Sequence, residues 1–408
     1  MRIAYFTHYF PPERNAPAAR VHELSRALCD AGHAVTVVTG QPSHPHGVIY
    51  PGYRAASVRR EVIDGIDVLR CPTLPVANRG LTRALGFVAM PPAQALVALA
   101  RAPKVDVVIA TSPQPLTGLA GLAFARARRV PFFFEVRDLW PQDIVDIGVM
   151  SARHPFIRAL FGVERLLYRE ARGIISVTDS FVERFVAHGV SRERIVVIKN
   201  GIDARLFARP HVPAPLRERL EIPDSALVVL YCGTLGLPQD VGLLARAAAR
   251  MRGDEAHFVI VGDGADRAAI AREVAALEVG DRVHLLPAVA RAEVPGLLTA
   301  ADVAAVLLRD IPAYAGVLPS KMFEAMAAGT PLALGVRGEA AQLLSAADAG
   351  VSFPPGDPDA LVAALRELAR RGPAERAKIG ARGRAYVLEH HDRRQQARAL
   401  AEFLAARR

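Results

Sequence analysis

Short, continuous apolar runs alternate with segments of helical periodicity along almost the whole chain. The predicted strands of the first half are Ile3–Thr7, Val35–Thr39, Val105–Ala110, Phe132–Val136, Ile174–Val177 and Ile195–Ile198. Those of the second half are Val228–Cys232, Phe258–Val261, Val283–Leu286, Val303–Leu307 and Leu332–Leu334. Unbroken apolar strands are typical of parallel sheets buried on both faces, and the intervening segments are long enough for crossover helices. The pattern therefore predicts an α/β protein with doubly wound parallel sheets.

The alternating pattern restarts near the middle of the chain, after the proline-rich stretch Pro210–Pro215, which has the composition of an extended linker. We predict one Rossmann-like domain over residues 1–207 and a second over 208–389, with a helix over 390–408 that returns to the first. Ligands of open parallel sheets bind at the carboxyl ends of the strands. The expected site is therefore a cleft that the two sheets face.

Composition narrows the class of protein. The chain has 408 residues, of which half are hydrophobic and 23% are charged, as expected for globular domains with large cores. The first apolar run is too short for a signal peptide, and no stretch of 18 apolar residues predicts a transmembrane helix. Three widely spaced cysteines, Cys29, Cys71 and Cys232, indicate reduced thiols in a cytoplasmic protein.

The formal net charge is +10 and is carried almost entirely by arginine, because the chain has only four lysines. Such an excess fits phosphate-bearing substrates, an anionic membrane surface or nucleic acid. Two of the lysines, Lys199 and Lys321, fall within the motifs described below. We take the charge to indicate a phosphate-bearing substrate and do not expect a nucleic-acid partner.

The segment Leu318–Pro331 carries the strongest local signal. Ser320 is predicted to cap a helix over Lys321–Ala328, and Gly329 supplies the turn that ends it. The first turn of a helix presents free N–H groups and a partial positive charge, which suit a diphosphate. A lysine there opposes the helix dipole, and a bound anion would explain it. An ordinary capped helix with a solvated lysine is the alternative.

This segment resembles the donor-binding motif of glycosyltransferase family 4, in which two glutamates are separated by seven residues. Glu324 matches the second glutamate, whereas Gly316 stands at the place of the first. The Pro-Ser-Lys sequence that ends at Lys321 is similar to a sub-branch of N-acetyl-L-fucosamine transferases of bacterial surface-polysaccharide synthesis. The resemblance implies a GT-B fold and retaining transfer from a UDP-sugar-like donor, without a required metal or other cofactor. It also implies that Glu324 binds the donor ribose and that Ser320 and Lys321 bind the diphosphate.

The same resemblance extends to other turns that follow predicted strands. Glycine lets a backbone approach a bound group closely. The family has glycine-bearing turns like those at residues 233 and 262–264. It usually also has an Arg near position 234 and a Lys near positions 237–239, and this chain has neither. An Asn-Gly turn before the linker could bring Lys199 to the phosphates. Each turn could instead be structural. The predicted donor-side residues are Ser320, Lys321, Glu324, Gly233, Thr234, Lys199, Asn200, Gly262, Gly264 and Val289.

Acceptor-side candidates follow strands of the first half. Arg137 and Asp138 come directly after Phe132–Val136, and a similar Arg-Asp-Leu-Trp-Pro sequence occurs in the sub-branch. Asp138 is the best candidate for a group that orients the acceptor or accepts its proton, so Asp138 and Lys321 are the predicted catalytic pair. A structural ion pair of Arg137 is the alternative. His8 follows the first strand and is assigned to the acceptor side.

Two further features bear on metals and membranes. The only Asp-x-Asp, Asp357–Asp359, lies in a proline-rich loop and predicts a helix cap, so no metal site is expected. The apolar stretch Leu81–Ala100 is flanked by arginines and interrupted at Pro91 and Pro92. It could cover the first sheet or lie at a membrane interface near a lipid-linked acceptor, which would put the protein at the inner face of the membrane.

Three rival functions stay open at this stage. A GT-B-type UDP-sugar epimerase would share the donor site and release free epimer. A dinucleotide-dependent oxidoreductase would need a Gly-x-Gly-x-x-Gly turn after the first strand, and the loop from His8 to Pro17 contains no glycine. A non-catalytic nucleotide-sugar-binding protein would bind UDP without consuming a donor.

Overall fold

The structure is a computed structural model that describes residues 1–44, 47–76, 80–112, 114–146, 148–207 and 213–408, with only the backbone described at 80–84 and 313. The chain forms two compact units, residues 1–199 with 393–408, and residues 200–392. The second unit begins earlier than the predicted boundary at 208 because Ile202 and Phe207 are buried in its core. The predicted linker at Pro210–Pro215 lies largely outside the described residues.

The first unit is built on an eight-stranded sheet of order β3-β4-β2-β1-β5-β6-β7-β8. Its strands are β1 Arg2–Phe6, β2 Ala34–Gly40, β3 Arg59–Ile63, β4 Ile66–Cys71, β5 Val107–Thr111, β6 Phe132–Val136, β7 Gly173–Ser176 and β8 Ile195–Val197. Its helices are α1 Ala16–Asp30, α2 Gly80–Arg101, α3 Pro115–Arg128, α4 Gln142–Asp146, α5 Pro155–Glu170, α6 Val182–Ala187 and, from the end of the chain, α15 Arg393–Ala405. All its strand pairs are parallel except β3–β4.

The second unit contains a six-stranded parallel sheet of order β11-β10-β9-β12-β13-β14. Its strands are β9 Leu227–Cys232, β10 Ala256–Val261, β11 Val283–Leu286, β12 Val303–Leu307, β13 Leu332–Gly335 and β14 Gly350–Ser352. Its helices are α7 Leu216–Arg219, α8 Leu243–Arg250, α9 Arg267–Ala276, α10 Val294–Ala300, α11 Ser320–Ala328, α12 Glu339–Ala347, α13 Pro358–Arg370 and α14 Gly372–His390. The prediction of two doubly wound α/β sheets is confirmed.

Both faces of each sheet are covered by helices, which explains the unbroken apolar strands. In β1, Tyr5 packs in one core and Phe6 in the core on the opposite face. In β9, Leu230 and Tyr231 divide between two cores in the same way. Because successive side chains of a strand point to opposite faces, each must be apolar when both faces are buried.

Three strands were not predicted, and each has a physical reason. The β3 strand lies at the sheet edge and is largely exposed, while β4 carries Asp67 and Arg70 within its apolar run. Arg70 is fully buried, but its guanidinium is paired with Glu61 and bonded to the Gly40 carbonyl at 3.0 Å. The β14 strand has only three residues, too few for a periodic signal.

The predicted interruption of the apolar stretch at Pro91 and Pro92 is wrong, because α2 runs unbroken through both prolines. A proline at 91 has no N–H for the carbonyl four residues earlier. That carbonyl, on Phe87, instead accepts a hydrogen bond of 2.5 Å from the Gln114 side-chain amide. The described helices include none long and apolar enough to cross a bilayer, and all three cysteines are free thiols.

Candidate functional site

The N-terminus of α11 lies directly after the Leu318-Pro319 dipeptide. Pro319 occupies the capping position in an extended conformation and Ser320 is already helical, so the predicted cap at Ser320 is wrong by one residue. Proline suits this place because it has no N–H to satisfy and fixes its own φ. The helix ends at Gly329, as predicted; this residue has a left-handed φ of 77°, and its N–H donates to the Ala325 and Met326 carbonyls.

Lys321 in the first turn of α11 reaches over the end of β9. Its Nζ donates a hydrogen bond of 2.6 Å to the Tyr231 hydroxyl and lies 4.0 Å from the centre of the Tyr231 ring. The same Nζ would lie 3.3 Å from a Cβ at Gly233, so only glycine leaves that space open. Burial lowers the pKa of the Lys321 ammonium to about 8. A cation is thus held beside both the helix N-terminus and the turn after β9.

Tyr231 is a site residue that the sequence did not reveal, because it lies inside an apolar strand whose pattern predicts a core residue. The side chain is buried, and its hydroxyl donates a hydrogen bond of 2.7 Å to the Thr234 carbonyl while it accepts one from Lys321. Tyr231 therefore connects the lysine to the predicted glycine-bearing turn. Thr234 takes part through its backbone, and its side chain is exposed.

Glu324 lies one turn after Lys321 on the same helix and is paired with a second cation that was not predicted. Its Oε1 accepts a hydrogen bond of 2.8 Å from Arg291 Nη1. Arg291 belongs to the turn that follows β11, the same turn in which Val289 packs against the core. The end of β11, the end of β9 and the start of α11 therefore contribute adjacent polar groups.

Gly262 and Gly264 serve loop packing. A Cβ at Gly262 would lie 1.9 Å from the Gly233 carbonyl oxygen, and one at Gly264 would lie 2.2 Å from the Leu235 carbonyl oxygen. Leu235 N–H also donates to the Asp263 carbonyl at 2.9 Å. These glycines allow the turn after β10 to pack against the turn after β9, which favours the structural alternative for their own role.

The two residues of the predicted Lys199-Asn200 element lie in different units. Asn200 supports the start of α11, because its side-chain amide donates a hydrogen bond of 2.9 Å to the Leu318 carbonyl. Its own carbonyl lies 3.1 Å from His391 Nδ1. Lys199 forms an ion pair of 2.6 Å with Asp179 in the first unit, and contact of its ammonium with a phosphate stays a prediction.

Gly316 closes a short 3-10 turn, Pro312–Gly316, between β12 and α11. That turn borders a cavity of about 330 Å³ whose charged lining residues, among the described ones, are Arg309, Asp310 and Arg337. Asp310 and Arg337 form a two-bond ion pair at 2.9 and 3.0 Å. The position of the absent first glutamate therefore adjoins a cavity with more positive than negative side chains.

In the first unit, Arg137 and Asp138 form the turn after β6. The backbone N–H groups of both donate to the Ser112 hydroxyl, at 2.8 and 3.4 Å. Burial raises the pKa of the Asp138 carboxyl, and the neighbouring Arg137 guanidinium opposes that rise. A carboxylate that was not predicted, Asp143 on α4, has its pKa raised to about 7 by burial and by repulsion from Asp138 and Asp146. Two coupled carboxylates therefore lie where one was expected.

His8 lies after β1 with its ring edge-on to those of Tyr9 and Phe87, at centroid distances of 4.4 and 5.2 Å. These residues border a small pocket of about 40 Å³ within the first unit. Asp357 caps α13 by accepting hydrogen bonds from Asp359 N and Ala360 N, as predicted. In the described part of the chain, no group of three or more His, Cys, Asp or Glu side chains could hold a metal ion.

Comparison with known protein families gives one match in each half of the chain. Residues 15–201 match the family described as glycosyl transferase 4-like domain. Residues 214–386 match the family described as glycosyl transferases group 1. The two matched ranges contain every predicted donor-side residue and all acceptor-side residues except His8.

Individual proteins give the same indication. The chain is 26% identical to the putative colanic acid biosynthesis glycosyl transferase WcaI of Escherichia coli K12, over 81% of this chain and 82% of that protein. Sucrose-phosphate synthase of Thermosynechococcus elongatus has a similar structure, with a TM-score of 0.79, 20% identity and coverage of 99% and 98% of the two chains. Anabaena HepE, solved with UDP-glucose, gives a TM-score of 0.73 at 18% identity over 100% of both chains. These similarities assign the fold.

Proposed function

This chain belongs to the GT-B glycosyltransferases, and on that premise we propose that it transfers a sugar from a UDP-sugar to a glycan or lipid-linked acceptor. The second unit binds the donor, and the first unit binds the acceptor. The UDP-glucose bound by the structurally similar HepE supports the choice of nucleotide. The colanic acid role in the name of WcaI supports a place in polysaccharide synthesis.

The observation that carries the proposal is the position of Lys321. A diphosphate at the start of α11 would meet the N–H groups of the first helical turn and an ammonium that Tyr231 already holds in place. Negative charge develops on the diphosphate as the sugar leaves, and preorganised donors stabilise that charge most effectively in a partly desolvated site. Lys321 is therefore both a donor ligand and a catalytic residue.

The remaining donor contacts follow from the same arrangement. Glu324 accepts hydrogen bonds from the ribose hydroxyls, and Arg291 orients its carboxylate. The backbone of the Gly233–Thr234 turn approaches the diphosphate, and Asn200 and the Gly262–Gly264 turn hold the surrounding loops. The backbone near Val289 faces the nucleobase. Transfer requires no metal or other cofactor, because Lys321 and the helix N-terminus supply the positive charge.

The sugar and the stereochemistry follow from the family resemblance. Similarity of the Pro-Ser-Lys sequence to N-acetyl-L-fucosamine transferases supports an N-acetylaminosugar donor. Family 4 membership supports retention of the anomeric configuration. Asp138 orients the acceptor hydroxyl or accepts its proton, with Arg137 and His8 nearby in the first unit. Asp143, whose pKa is raised to about 7 by burial and by repulsion from Asp138 and Asp146, is a second carboxyl beside the acceptor-side turn that can hold a proton near neutral pH.

A thermal-shift screen tests the donor site. UDP or a UDP-sugar should raise the melting temperature of the wild-type chain, and Lys321→Ala should largely abolish that rise. Lys378→Ala is the matched control, because Lys378 is an exposed lysine of the same unit and its removal should change nothing. If no nucleotide stabilises the wild type, the donor site is wrong. Release of free epimer from UDP-sugar alone would instead favour the epimerase.

A further inference from the structure

The cavity of about 330 Å³ beside Gly316 lies at the carboxyl edge of the second sheet. Its walls come from the segments that follow β12, β13 and β14, and its volume is in the range of small-molecule sites, about 300–1,000 Å³. The apolar part of the described wall is formed by Ile311, Pro312, Tyr314, Ala315, Val336 and Pro355. Open parallel sheets bind their ligands at this edge, so the cavity has the size and the place of a binding site.

The order of the strands places this cavity beside the predicted diphosphate site. In the sheet, β10 and β11 lie on one side of β9, and β12, β13 and β14 lie on the other. Lys321 lies over the end of β9, and Arg291, which pairs with the predicted ribose ligand Glu324, follows β11. The diphosphate of a nucleotide sugar joins the nucleoside to the sugar. A nucleoside on the β11 side therefore directs the sugar towards β12 and β13, about 5–10 Å away at the usual strand spacing.

Backbone contacts join the wall of the cavity to the segments around the predicted diphosphate. The Arg309 N–H donates a hydrogen bond of 2.9 Å to the carbonyl of Pro238, in the segment that follows β9. The turn Pro312–Gly316 is separated from α11 only by residues 317–319. Gly338 packs against this turn, because a Cβ at Gly338 would lie 2.0 Å from the Ala315 carbonyl oxygen. The cavity is therefore continuous with both the segment after β9 and the start of α11.

The charged side chains of the wall leave one positive charge unmatched. The Asp310 carboxylate accepts two hydrogen bonds from the Arg337 guanidinium, at 2.9 and 3.0 Å, so these two charges cancel. Arg309 is exposed at the cavity and forms no ion pair with any residue that the structure describes. Its guanidinium is thus available to an anion that enters the cavity.

The residue at position 316 fits the same balance of charge. The family motif has a glutamate at this place, whereas this chain has Gly316. A carboxylate beside the cavity would compete for the Arg309 guanidinium and would repel an anionic ligand. Glycine leaves Arg309 open to a carboxylate of the ligand, which a guanidinium binds through two parallel hydrogen bonds.

We propose that the donor sugar carries a carboxylate, as a uronic acid does, and that the Arg309 guanidinium binds it in this cavity. The inference rests on the proposed function, because it names the class of sugar that the proposed donor site takes. The apolar wall packs against the C–H groups of the sugar ring. An N-acetylamino group and a carboxylate can occur on different carbons of one sugar, so the inference narrows the donor proposed above.

Two matched pairs of nucleotide sugars test the inference by isothermal titration calorimetry. UDP-glucuronate differs from UDP-glucose only in a carboxylate that replaces a hydroxymethyl group, and UDP-galacturonate differs from UDP-galactose in the same way. The wild type should bind the acidic member of at least one pair about tenfold more tightly. This preference should shrink in about 0.5 M NaCl, because Arg309 is exposed to screening ions. Equal affinities within both pairs would overturn the proposal.

Three variants assign the preference to Arg309. Arg309→Gln should bring the affinity ratio of the preferred pair to about one and leave the affinity for UDP unchanged. Arg370→Gln, which removes an exposed arginine of α13 in the same unit, should keep the wild-type ratio. Asp310→Asn removes the carboxylate that pairs with Arg337 and should raise the ratio about threefold.

The opposite results would contradict the assignment. A preference that survives in Arg309→Gln, or an Asp310→Asn ratio no higher than that of the wild type, would show that this balance of charge does not select the sugar. A loss of affinity for UDP itself in Arg309→Gln would place the guanidinium on the diphosphate instead. These positions are exposed, so the variants should melt at the temperature of the wild type.

The same titrations separate this inference from the proposed function. If UDP binds and neither acidic sugar is preferred, the inference fails and the donor site stands. If neither UDP nor any of the four nucleotide sugars binds, the proposed function fails and the inference fails with it.

Discussion

Affinity for UDP should fall as the pH rises from 7 to 9, and Lys321 sets the size of the effect. Its pKa of about 8 in the free protein means that the ammonium form drops from about nine-tenths of the molecules at pH 7 to about one-tenth at pH 9. A bound diphosphate favours the ammonium and raises this pKa, so the interaction is fully present below pH 8 and is lost above it. The expected loss of affinity is about tenfold, or about 1.4 kcal/mol.

No neighbouring group should obscure this titration. Burial raises the pKa of the Tyr231 hydroxyl well above the tested range, and it raises the pKa of the Cys232 thiol to about 12. The phosphates of UDP are already ionised above pH 7. Lys321 is therefore the group near the predicted diphosphate whose charge changes between pH 7 and pH 9.

Isothermal titration calorimetry at pH 7, 8 and 9, in two buffers that differ in ionisation enthalpy, measures both the affinity and the protons taken up. The wild type should take up close to one proton per UDP at pH 9 and almost none at pH 7. Lys321→Arg keeps its charge throughout and should bind with nearly constant affinity. Constant affinity of the wild type between pH 7 and 9, without proton uptake, would refute the reasoning.

Three further outcomes are expected. Tyr231→Phe removes the hydroxyl that holds Lys321 and should weaken UDP binding by about three- to tenfold in the same titration, whereas unchanged binding would show that the hydroxyl is dispensable. Asp138→Asn should lower sugar transfer by at least about 100-fold while UDP affinity stays the same, and full activity in a donor-consumption assay would exclude it as the acceptor-side base. Gly262→Ala places a Cβ 1.9 Å from a carbonyl oxygen and should destabilise the chain by roughly 1–3 kcal/mol in urea unfolding, whereas Gly253→Ala meets no atom within 4 Å and should not.

Much of the fold follows from the sequence because burial on both faces leaves an unmistakable pattern. The eleven predicted strands all occur, with boundaries that differ by a few residues at most. The sequence failed where polar side chains are satisfied by distant partners. Arg70 inside β4 bonds to Gly40 across the sheet, and the Phe87 carbonyl freed by Pro91 accepts the Gln114 amide. Neither partner lies near enough in sequence to be inferred from a local pattern.

The residues of the candidate site also fall into two groups: those that a local sequence pattern indicates and those that depend on distant contacts. Lys321 and Glu324 stand out because a glycine-ended helix after a Pro-Ser dipeptide has a local signature. Tyr231 and Arg291 do not stand out in the sequence, because each contributes only through a contact that the fold creates. Tyr231 contacts Lys321, which is 90 residues away in sequence, and Arg291 contacts Glu324, which is 33 residues away. Asp143 was missed for a related reason, since its raised pKa depends on burial and on Asp138. Spacing along the chain carries no information about burial of that kind.

The central claim is that a pyrophosphate binds where α11 begins, beside the Lys321 ammonium. A crystal structure of the chain with UDP tests this most directly. We predict diphosphate oxygens within about 3 Å of Lys321 Nζ and of the first N–H groups of α11, with the ribose hydroxyls at Glu324. Density for UDP elsewhere in the molecule, with Lys321 still bonded to Tyr231 and no phosphate near it, would contradict the account.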